Sequence, residues 1–204
     1  MKRDVVVVGC GVVGAAIAYQ LSCQGLSVVV VDAADPACGS TGAALGVLMA
    51  VCSQQISGPV VDLRLHSLTL FDPLIAQLQS ELNRTIPVNR RGILKLLQPQ
   101  EESEWTATVS ARQAAGWLLE RLDPTSVDTM QAGLQAAISG GLYSPQDRQI
   151  DPRVFTHALI QAARQRGVQF HFQQPVLSCK VDQHRVKALY TPEHTLSTEA
   201  VILT

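Results

Sequence analysis

Unbroken β-branched runs and helical apolar spacings take turns along the first third of this chain. Val5 to Val8 is a continuous valine run, the pattern of a strand buried on both faces in a parallel sheet. From Val12 to Gln24 the apolar positions Val12, Val13, Ala16, Ile17, Tyr19 and Leu21 fit a helix lying on such a sheet, and Gly25 is placed to end it. Ser27 to Val31 then reads as a second buried strand. A strand, turn, helix, strand unit of this kind predicts a right-handed crossover.

Asp35 to Gly46 is rich in Gly, Ala, Ser and Thr, too small-sided to build a core but suited to backbone that approaches a ligand closely. Helical periodicity resumes over Asp62 to Leu82 through Leu63, Leu65, Leu68, Leu70, Leu74, Leu78 and Leu82, with a break or restart expected at Pro73. Past Pro87 the pattern predicts a strand over Arg90 to Leu97, helices over Glu101 to Gly116 and Asp123 to Met130, and a strand at Gly140 to Tyr143. Asp151-Pro152 opens a helix over Arg153 to Arg166 that Gly167 closes. Strands are expected at Val168 to Phe172 and Val176 to Val181. A polar hairpin over His184 to Tyr190 and Leu196 to Thr198 and an apolar strand from Ala200 to Thr204 follow.

Composition narrows the function classes. With 204 residues, 47% hydrophobic and 16% charged, the chain has material for a sizeable core of one or two domains. A net charge of -1 with scattered basic residues supplies no field for a phosphodiester backbone, so no nucleic-acid partner is expected. The five cysteines are widely spaced, without CxxC pairs or companion histidines, which predicts free thiols in a reducing cytoplasm and no metal site. Met1-Lys2-Arg3 before an apolar stretch imitates a secretory signal, but Asp4 interrupts its border. The Gly39 to Val61 stretch carries Gln, Pro, Ser and Gly, so no stable membrane span is expected.

Gly9-Cys10-Gly11-Val12-Val13-Gly14 satisfies GxGxxG between the first strand and the first helix. The first glycine allows the tight turn, the second lets backbone approach a pyrophosphate, and the third lets helix and strand pack closely. Helix N–H groups and the positive end of the helix dipole then face the phosphates. Asp32 stands at the end of the second strand, where a carboxylate accepts hydrogen bonds from both hydroxyls of an adenosine ribose and repels a 2′-phosphate, arguing against NADP. Ala33 follows it into the loop. FAD and NAD both present an ADP moiety, and the fingerprint does not separate them.

The next segment carries a resemblance. Cys38-Gly39-Ser40-Thr41-Gly42-Ala43-Ala44-Leu45-Gly46-Val47-Leu48 resembles the second flavin-contact loop of the D-amino-acid oxidase family, and within it the chain is most similar to glycine oxidases of the thiamin pathway. Arg91-Gly92-Ile93-Leu94-Lys95-Leu96 resembles that family's first substrate-domain strand. Gly141-Leu142-Tyr143 through Gln149-Ile150-Asp151-Pro152 resembles its return to the cofactor domain. The resemblance implies FAD as cofactor, an α/β fold with a Rossmann-like parallel sheet, and an incomplete α+β substrate domain inserted in it. The implied division is an FAD-binding part over 1–84, a partial substrate domain over 85–140, and a second FAD-binding part over 141–204. Ser40 and Thr41 are implied to run beneath the pyrophosphate and ribityl chain, Leu45, Gly46, Val47 and Leu48 to meet the isoalloxazine ring, and Val176 to set its backbone against the adenine. Leu45 replaces a small residue usual in relatives, and Met49-Ala50 replaces a small-residue and proline pair.

Relatives continue well past the position of Thr204, so the resemblance implies an N-terminal piece of a larger enzyme. The arginine gripping the substrate carboxylate, and with it the catalytic residues, is expected beyond Thr204. The implied reaction moves a hydride from a small amino acid or secondary amine (glycine, sarcosine or D-amino-acid type) to the flavin, giving an imine that hydrolyses, while oxygen becomes hydrogen peroxide. Expected partners are that amine and oxygen, with homo-oligomer formation by the complete protein left open. Two competing readings are a non-catalytic FAD- or ADP-binding module and an amino-acid dehydrogenase that passes electrons to a quinone. No acid or base within 1–204 is required, so His66, His157, His171, His184 and His194 read as surface or hydrogen-bonded core histidines, the last two solvated. Cys10 sits at a helix N-terminus, where a low thiol pKa is conceivable, yet its place reads as packing. Arg90 and Arg91 read as a charged strand end.

Overall fold

A computed structural model describes residues 2–133 and 138–204. In chain order it contains β1 (Arg3–Val8), α1 (Val12–Cys23), β2 (Val28–Val31), α2 (Ser40–Ala43), β3 (Val47–Leu48), α3 (Pro59–Leu82), β4 (Val88–Asn89) and β5 (Ile93–Leu97). There follow α4 (Glu102–Ala114), β6 (Glu120–Leu122), α5 (Pro124–Met130), β7 (Gly140–Ser144), β8 (Arg148–Ile150), α6 (Pro152–Gln165), β9 (Gln169–His171), β10 (Ser178–Asp182), β11 (Arg185–Tyr190) and β12 (Thr195–Leu203). The chain divides into two compact units: Met1–Leu45, Ala76–Ile86 and Asp151–Thr204 form the first, Gly46–Ile75 and Pro87–Ile150 the second. The second unit thus takes in Gly46 to Ile75 as well as the segment after Pro87.

The first unit is built on a sheet ordered β10-β11-β12-β1-β2-β9, in which β12, β1, β2 and β9 run parallel. The valines of β1 and β2 explain its centre. Val6, Val7, Val30 and Val31 have no exposed surface, and full burial of each such side chain is worth about 1.5–3 kcal/mol. Helices α1 and α6 pack together, which the small buried residues Ala15, Ala18, Ala162 and Ala163 permit. Asp151 caps α6 by accepting from the N–H groups of Arg153 and Val154, with Pro152 in the first turn. Gly25 and Gly167 follow α1 and α6 with positive φ, where glycine carries no Cβ penalty. This mixed α/β architecture with a mainly parallel sheet agrees with the expected fold class.

Two expectations about elements need correction. Leu196–Thr198 and Ala200–Thr204 are parts of one strand: β12 pairs antiparallel with β11 over Thr195–Ser197 and parallel with β1 from Thr198 onward. The change of partner changes the burial pattern midway, and the single strand reads as two. Helix α3 also does not stop at Pro73. The proline removes one N–H, but Phe71, Ile75, Leu78 and Leu82 are buried on either side of it, and that burial holds the helix together.

The second unit contains two three-stranded sheets, β3-β8-β4 and β5-β7-β6, whose strand pairs are antiparallel. Its core gathers Val51, Cys52, Leu97, Trp105, Leu119 and Leu142. Asp123 caps α5 by accepting from Ser126 N at 2.8 Å, with Pro124 in the first turn as expected. Among the described residues no helix is long and apolar enough to cross a membrane.

Candidate functional site

In the first unit the turn after β1 needs glycine at three positions for three separate reasons. Gly9 adopts φ of 106°, which L side chains rarely do, and a Cβ there would lie 2.5 Å from the Thr204 carbonyl oxygen. A Cβ at Gly11 would lie 2.9 Å from Thr41 Oγ1. One at Gly14 would stand 2.1 Å from the Gly9 carbonyl oxygen, so α1 could not sit this close to the turn with any side chain at that position.

The close approach leaves an open cleft of about 340 Å³ lined by Gly9, Gly11, Val12, Val13, Gly14, Asp32, Ser40 and Thr41, together with Ala34, Asp35, Cys38 and Thr204. The N–H groups of Val13 and Gly14, at the first turn of α1, have no acceptor among the described residues. Unsatisfied N–H groups at the positive end of a helix dipole make an anion site.

Two side chains hold that turn in shape. Val12 N–H donates to Thr41 Oγ1 at 3.0 Å, so α2 supplies the hydroxyl that Gly11, the N-cap, lacks. Asp32 Oδ2 accepts from Cys10 N–H at 2.5 Å and Oδ1 accepts from Ala34 N–H at 2.8 Å. The Asp32 carboxylate therefore ties the glycine turn to the end of β2. A carboxylate has about four acceptor positions, so two backbone bonds leave capacity for ligand hydroxyls. This structural duty of Asp32 is additional to the one expected from its position.

Cys10 lies in this turn but is buried. Burial first, and the neighbouring Asp32 charge second, push its thiol pKa up to about 12. The shift is opposite to the low pKa conceivable at a helix N-terminus and disfavours a reactive thiolate, in keeping with a packing role.

Other singled-out residues of the first unit stand outside the cleft. Ala33 is exposed and is not among the lining residues, unlike Ala34 and Asp35. Leu45 is 82% exposed. Val176 packs its side chain against the cluster of Val6, Val29, Val31 and Leu189. His171 and His194 are half-buried with ring centroids 4.1 Å apart, so His194 is not simply solvated. Burial, then the His194 charge, then Arg3 lower the His171 pKa, with Glu193 opposing. His66, His157 and His184 are exposed.

The second unit holds Gly46, Val47 and Leu48. Val47 and Leu48 form β3 against β8, and Ile150 N–H donates to the Gly46 carbonyl at 3.0 Å. Val47 and Leu48, but not Gly46, line a pocket of about 460 Å³ whose other walls are Met49, Ala50, Leu68 and Phe71, with Arg64 and Ser67 as its polar members.

Two buried charged residues fix the chain leaving this pocket. Asp147, with no exposed surface, accepts from the N–H groups of Ala50, Val51 and Cys52 at 2.9, 3.0 and 2.8 Å. Arg112, 2% exposed, donates to the carbonyls of Val51, Gln55 and Ile56 and to Ser53 Oγ. One takes the segment's amides and the other its carbonyls. Sequence reasoning missed both, and Thr204 and Arg153 as well; the Arg153 guanidinium packs against Gly42. Their partners are far away in sequence, so no local pattern marks them. Arg90 pairs with Asp72 at 3.4 Å and Arg148 with Asp72 at 2.9 Å, which makes the Arg90 end of the strand an ion-pair site.

Known proteins resemble this arrangement. Glycine oxidase from Geobacillus kaustophilus is 29% identical over 210 residues, covering 99% of this chain and 54% of that protein. D-amino acid dehydrogenase from Paramagnetospirillum magneticum is 28% identical over 137 residues, covering 63% of this chain and 32% of the other. The crystal structure of glycine oxidase from Geobacillus kaustophilus superposes with a TM-score of 0.91 at 27% identity, covering all of this chain (100%) and 55% of that one. The chain thus spans about half the length of the glycine oxidases it matches. The model of the family described as DAO, FAD dependent oxidoreductase, matches residues 4–204, and the chain belongs to that family.

Proposed function

We propose that this chain holds FAD in an enzyme that oxidises a small amino acid or secondary amine to an imine while oxygen is reduced to hydrogen peroxide. The observation that carries the reading is the cleft in the first unit: a turn in which Gly9, Gly11 and Gly14 leave no room for a Cβ, with two helix N–H groups beside it that have no acceptor among the described residues. Those features fit a pyrophosphate, and the family to which the chain belongs is FAD dependent.

Gly9, Gly11 and Gly14 are assigned to backbone contact with the pyrophosphate, with the Val13 and Gly14 N–H groups as donors and Val12 beside them. Asp32 and Ala33 are assigned to the adenosine ribose, Ser40 and Thr41 to the pyrophosphate and ribityl chain, and Val176 to the adenine. In the second unit Gly46, Val47 and Leu48 are assigned to the isoalloxazine ring, as is Leu45 before them. Bound FAD would supply the redox chemistry, accepting a hydride and returning electrons to oxygen. The protein's own part is to bind, orient and exclude water. The Thr41 and Asp32 tethers hold the turn before the cofactor arrives, so its ordering is not charged against binding.

The amine class rests on the glycine oxidase matches. A quinone-linked dehydrogenase is the second reading, favoured by the D-amino acid dehydrogenase match. We further place the protein in a reducing cytoplasm, since the five cysteines are all free. Titration of the chain with FAD, followed by flavin fluorescence, tests the cofactor assignment; saturable quenching is expected, and its absence overturns the reading. Peroxide release from glycine, sarcosine or D-alanine by the protein with its natural continuation tests the reaction. Turnover with an artificial electron acceptor but no oxygen consumption would decide for the dehydrogenase, and FAD affinity without any turnover for a binding module.

A further inference from the structure

Strand β12 changes partner midway, and the change opens a notch on the first unit. Because β12 pairs with β11 only over Thr195–Ser197 and with β1 from Thr198 onward, Arg185 to Lys187 of β11 face no strand on that side among the described residues. The resulting cavity has a volume of about 300 Å³, with Lys2, Arg185, Lys187, Ser197 and Glu199 in its lining and Val186 as its one apolar member. A register shift falls at the same place: Lys180 faces Ala188 but Val181 faces Val186, which leaves Lys187 as the extra residue of a β-bulge. Bulges re-aim side chains at sheet edges, and here three consecutive residues of β11 border one cavity.

Three cations meet one carboxylate in this notch, and that carboxylate, Glu199, is spent on Lys2 at 2.6 Å. The side chains of Arg185 and Lys187 have no hydrogen-bond or ion-pair partner among the described residues, and Asp182, which faces Arg185 across the β10–β11 hairpin, makes no ion pair with it. The Ser197 hydroxyl is likewise free among the described residues, whereas Thr198 Oγ1 donates to the Ala200 carbonyl at 2.8 Å. Elsewhere Lys95 is paired with Glu101, Arg148 with Asp72 and Arg166 with Glu81. Like charges gathered round an open cavity repel one another until an anion enters. A guanidinium fork, an ammonium and a hydroxyl drawn from two strands can donate to oxygens on several sides of one group, which is what a tetrahedral phosphate requires. With Val186 the one apolar lining residue, nothing is provided for an acyl or aromatic group.

We propose that this notch binds a compact polyanion of the phosphate class, pyrophosphate in size, with Arg185 and Lys187 as the recognising cations and Ser197 as a further donor. Bound there, the anion would bridge β11 to β12 across the fork that hydrogen bonds leave open. The notch lies at the start of β1, whereas the glycine turn follows the end of that strand. Six residues of β1, at about 3.3 Å each, set the two about 20 Å apart. It is thus a second anion site on the same sheet, and it stands or falls independently of the flavin assignment.

The test is a titration of the ¹⁵N-labelled chain with inorganic pyrophosphate at constant ionic strength, with succinate as the carboxylate control. Pyrophosphate can also reach the glycine turn, so the amides of Val186, Lys187, Ser197 and Glu199 are read apart from those of Val13 and Gly14. Saturable shifts are expected at the first group, with succinate binding there about tenfold more weakly. Arg185→Gln combined with Lys187→Gln should weaken pyrophosphate at the notch about tenfold and leave the response of Val13 and Gly14 unchanged; both side chains are exposed, so no core packing is lost. Glu199→Gln should strengthen binding about threefold by removing the one carboxylate and freeing Lys2, a gain that no loss of folding imitates. Shifts at the notch that do not saturate, equal affinity for succinate, an undiminished response in the double variant, or no gain in Glu199→Gln would each overturn the proposal. Saturable shifts at the notch without any at Val13 and Gly14 would support this site and count against the proposed cofactor cleft, and the reverse result would do the opposite.

Discussion

Gly14→Ala is the most direct probe of the cofactor cleft. The added Cβ would stand 2.1 Å from the Gly9 carbonyl oxygen, 2.8 Å from Thr204 Oγ1 and 3.0 Å from the Gly9 carbonyl carbon. Both Gly9 atoms are backbone and cannot rotate away. To reach even 3.0 Å from the carbonyl oxygen, the start of α1 must retreat by 3.0 − 2.1, or about 0.9 Å. Overpacking of this kind costs about 1–3 kcal/mol, and alanine's higher helix propensity returns at most about 1 kcal/mol. A net loss of about 1–2 kcal/mol is therefore expected in urea denaturation.

The effect on cofactor affinity should be larger. A donor displaced by about 0.9 Å from a 2.9 Å hydrogen bond no longer makes one, and each bond to a charged phosphate is worth about 1.5–3 kcal/mol. FAD affinity should fall at least tenfold in a fluorescence titration. Gly25→Ala is the matched control, because no atom lies within 4 Å of its Cβ and φ is +80°. It should cost about 1 kcal/mol of stability through backbone strain and leave FAD affinity unchanged. If Gly14→Ala bound FAD within twofold of the parent, the Val13 and Gly14 N–H groups would not be the pyrophosphate donors.

Further tests address the supports around the two cavities. Asp147→Ala should destabilise by about 3–5 kcal/mol in urea, since three buried N–H groups lose their acceptor; Asp147→Asn keeps one acceptor oxygen and should lose about half as much, so equal losses would argue against the amide clamp. His171 has a folded pKa below its ordinary value of 6.5. The unfolded chain therefore binds the proton first, and stability should fall as pH drops from 7 through 6.5 and below. His171→Gln should flatten that decline in thermal melts from pH 7.5 to 5.5, and an unchanged slope would assign it elsewhere. Ellman's reagent at pH 8 should titrate the exposed Cys23, Cys38 and Cys179 rapidly, and the buried Cys10 and Cys52, with thiols pushed to about 12, only after unfolding. Five fast thiols in the native protein would contradict this burial.

The strand, helix and strand of a Rossmann-like unit are written locally, and here they were legible: the valine runs became β1 and β2, and the glycines fell where φ and close packing require them. Asp151-Pro152 likewise announced α6, because caps act within a few residues. Leucine spacing in α3 was a poorer guide to burial. Leu63 and Leu70 are 65% and 55% exposed while Ile75 and Leu78 are fully buried, so the apolar positions form more than one stripe and only the neighbours decide which is covered. Strands as short as β3 and β4 carry too few residues for a period of two to register. The least legible features were the buried charges: nothing near Asp147 or Arg112 distinguishes them from surface residues, since their partners lie 95–97 positions away for Asp147 and 56–61 for Arg112.

The pairing of β1 with β12 has a kinetic meaning. Strand β1 finds its parallel neighbour only when Thr198–Leu203 have been synthesised, although its other neighbour β2 follows within a few tens of residues. Closing so long a loop adds only modest entropy at equilibrium, but non-local parallel pairing is slow and leaves an unpaired apolar edge while the chain waits. On the ribosome the glycine turn would therefore remain half-walled until Thr198–Leu203 emerge. Its competence to bind nucleotide should then arrive all at once, so that cofactor present at that moment can act as a brake on misassembly.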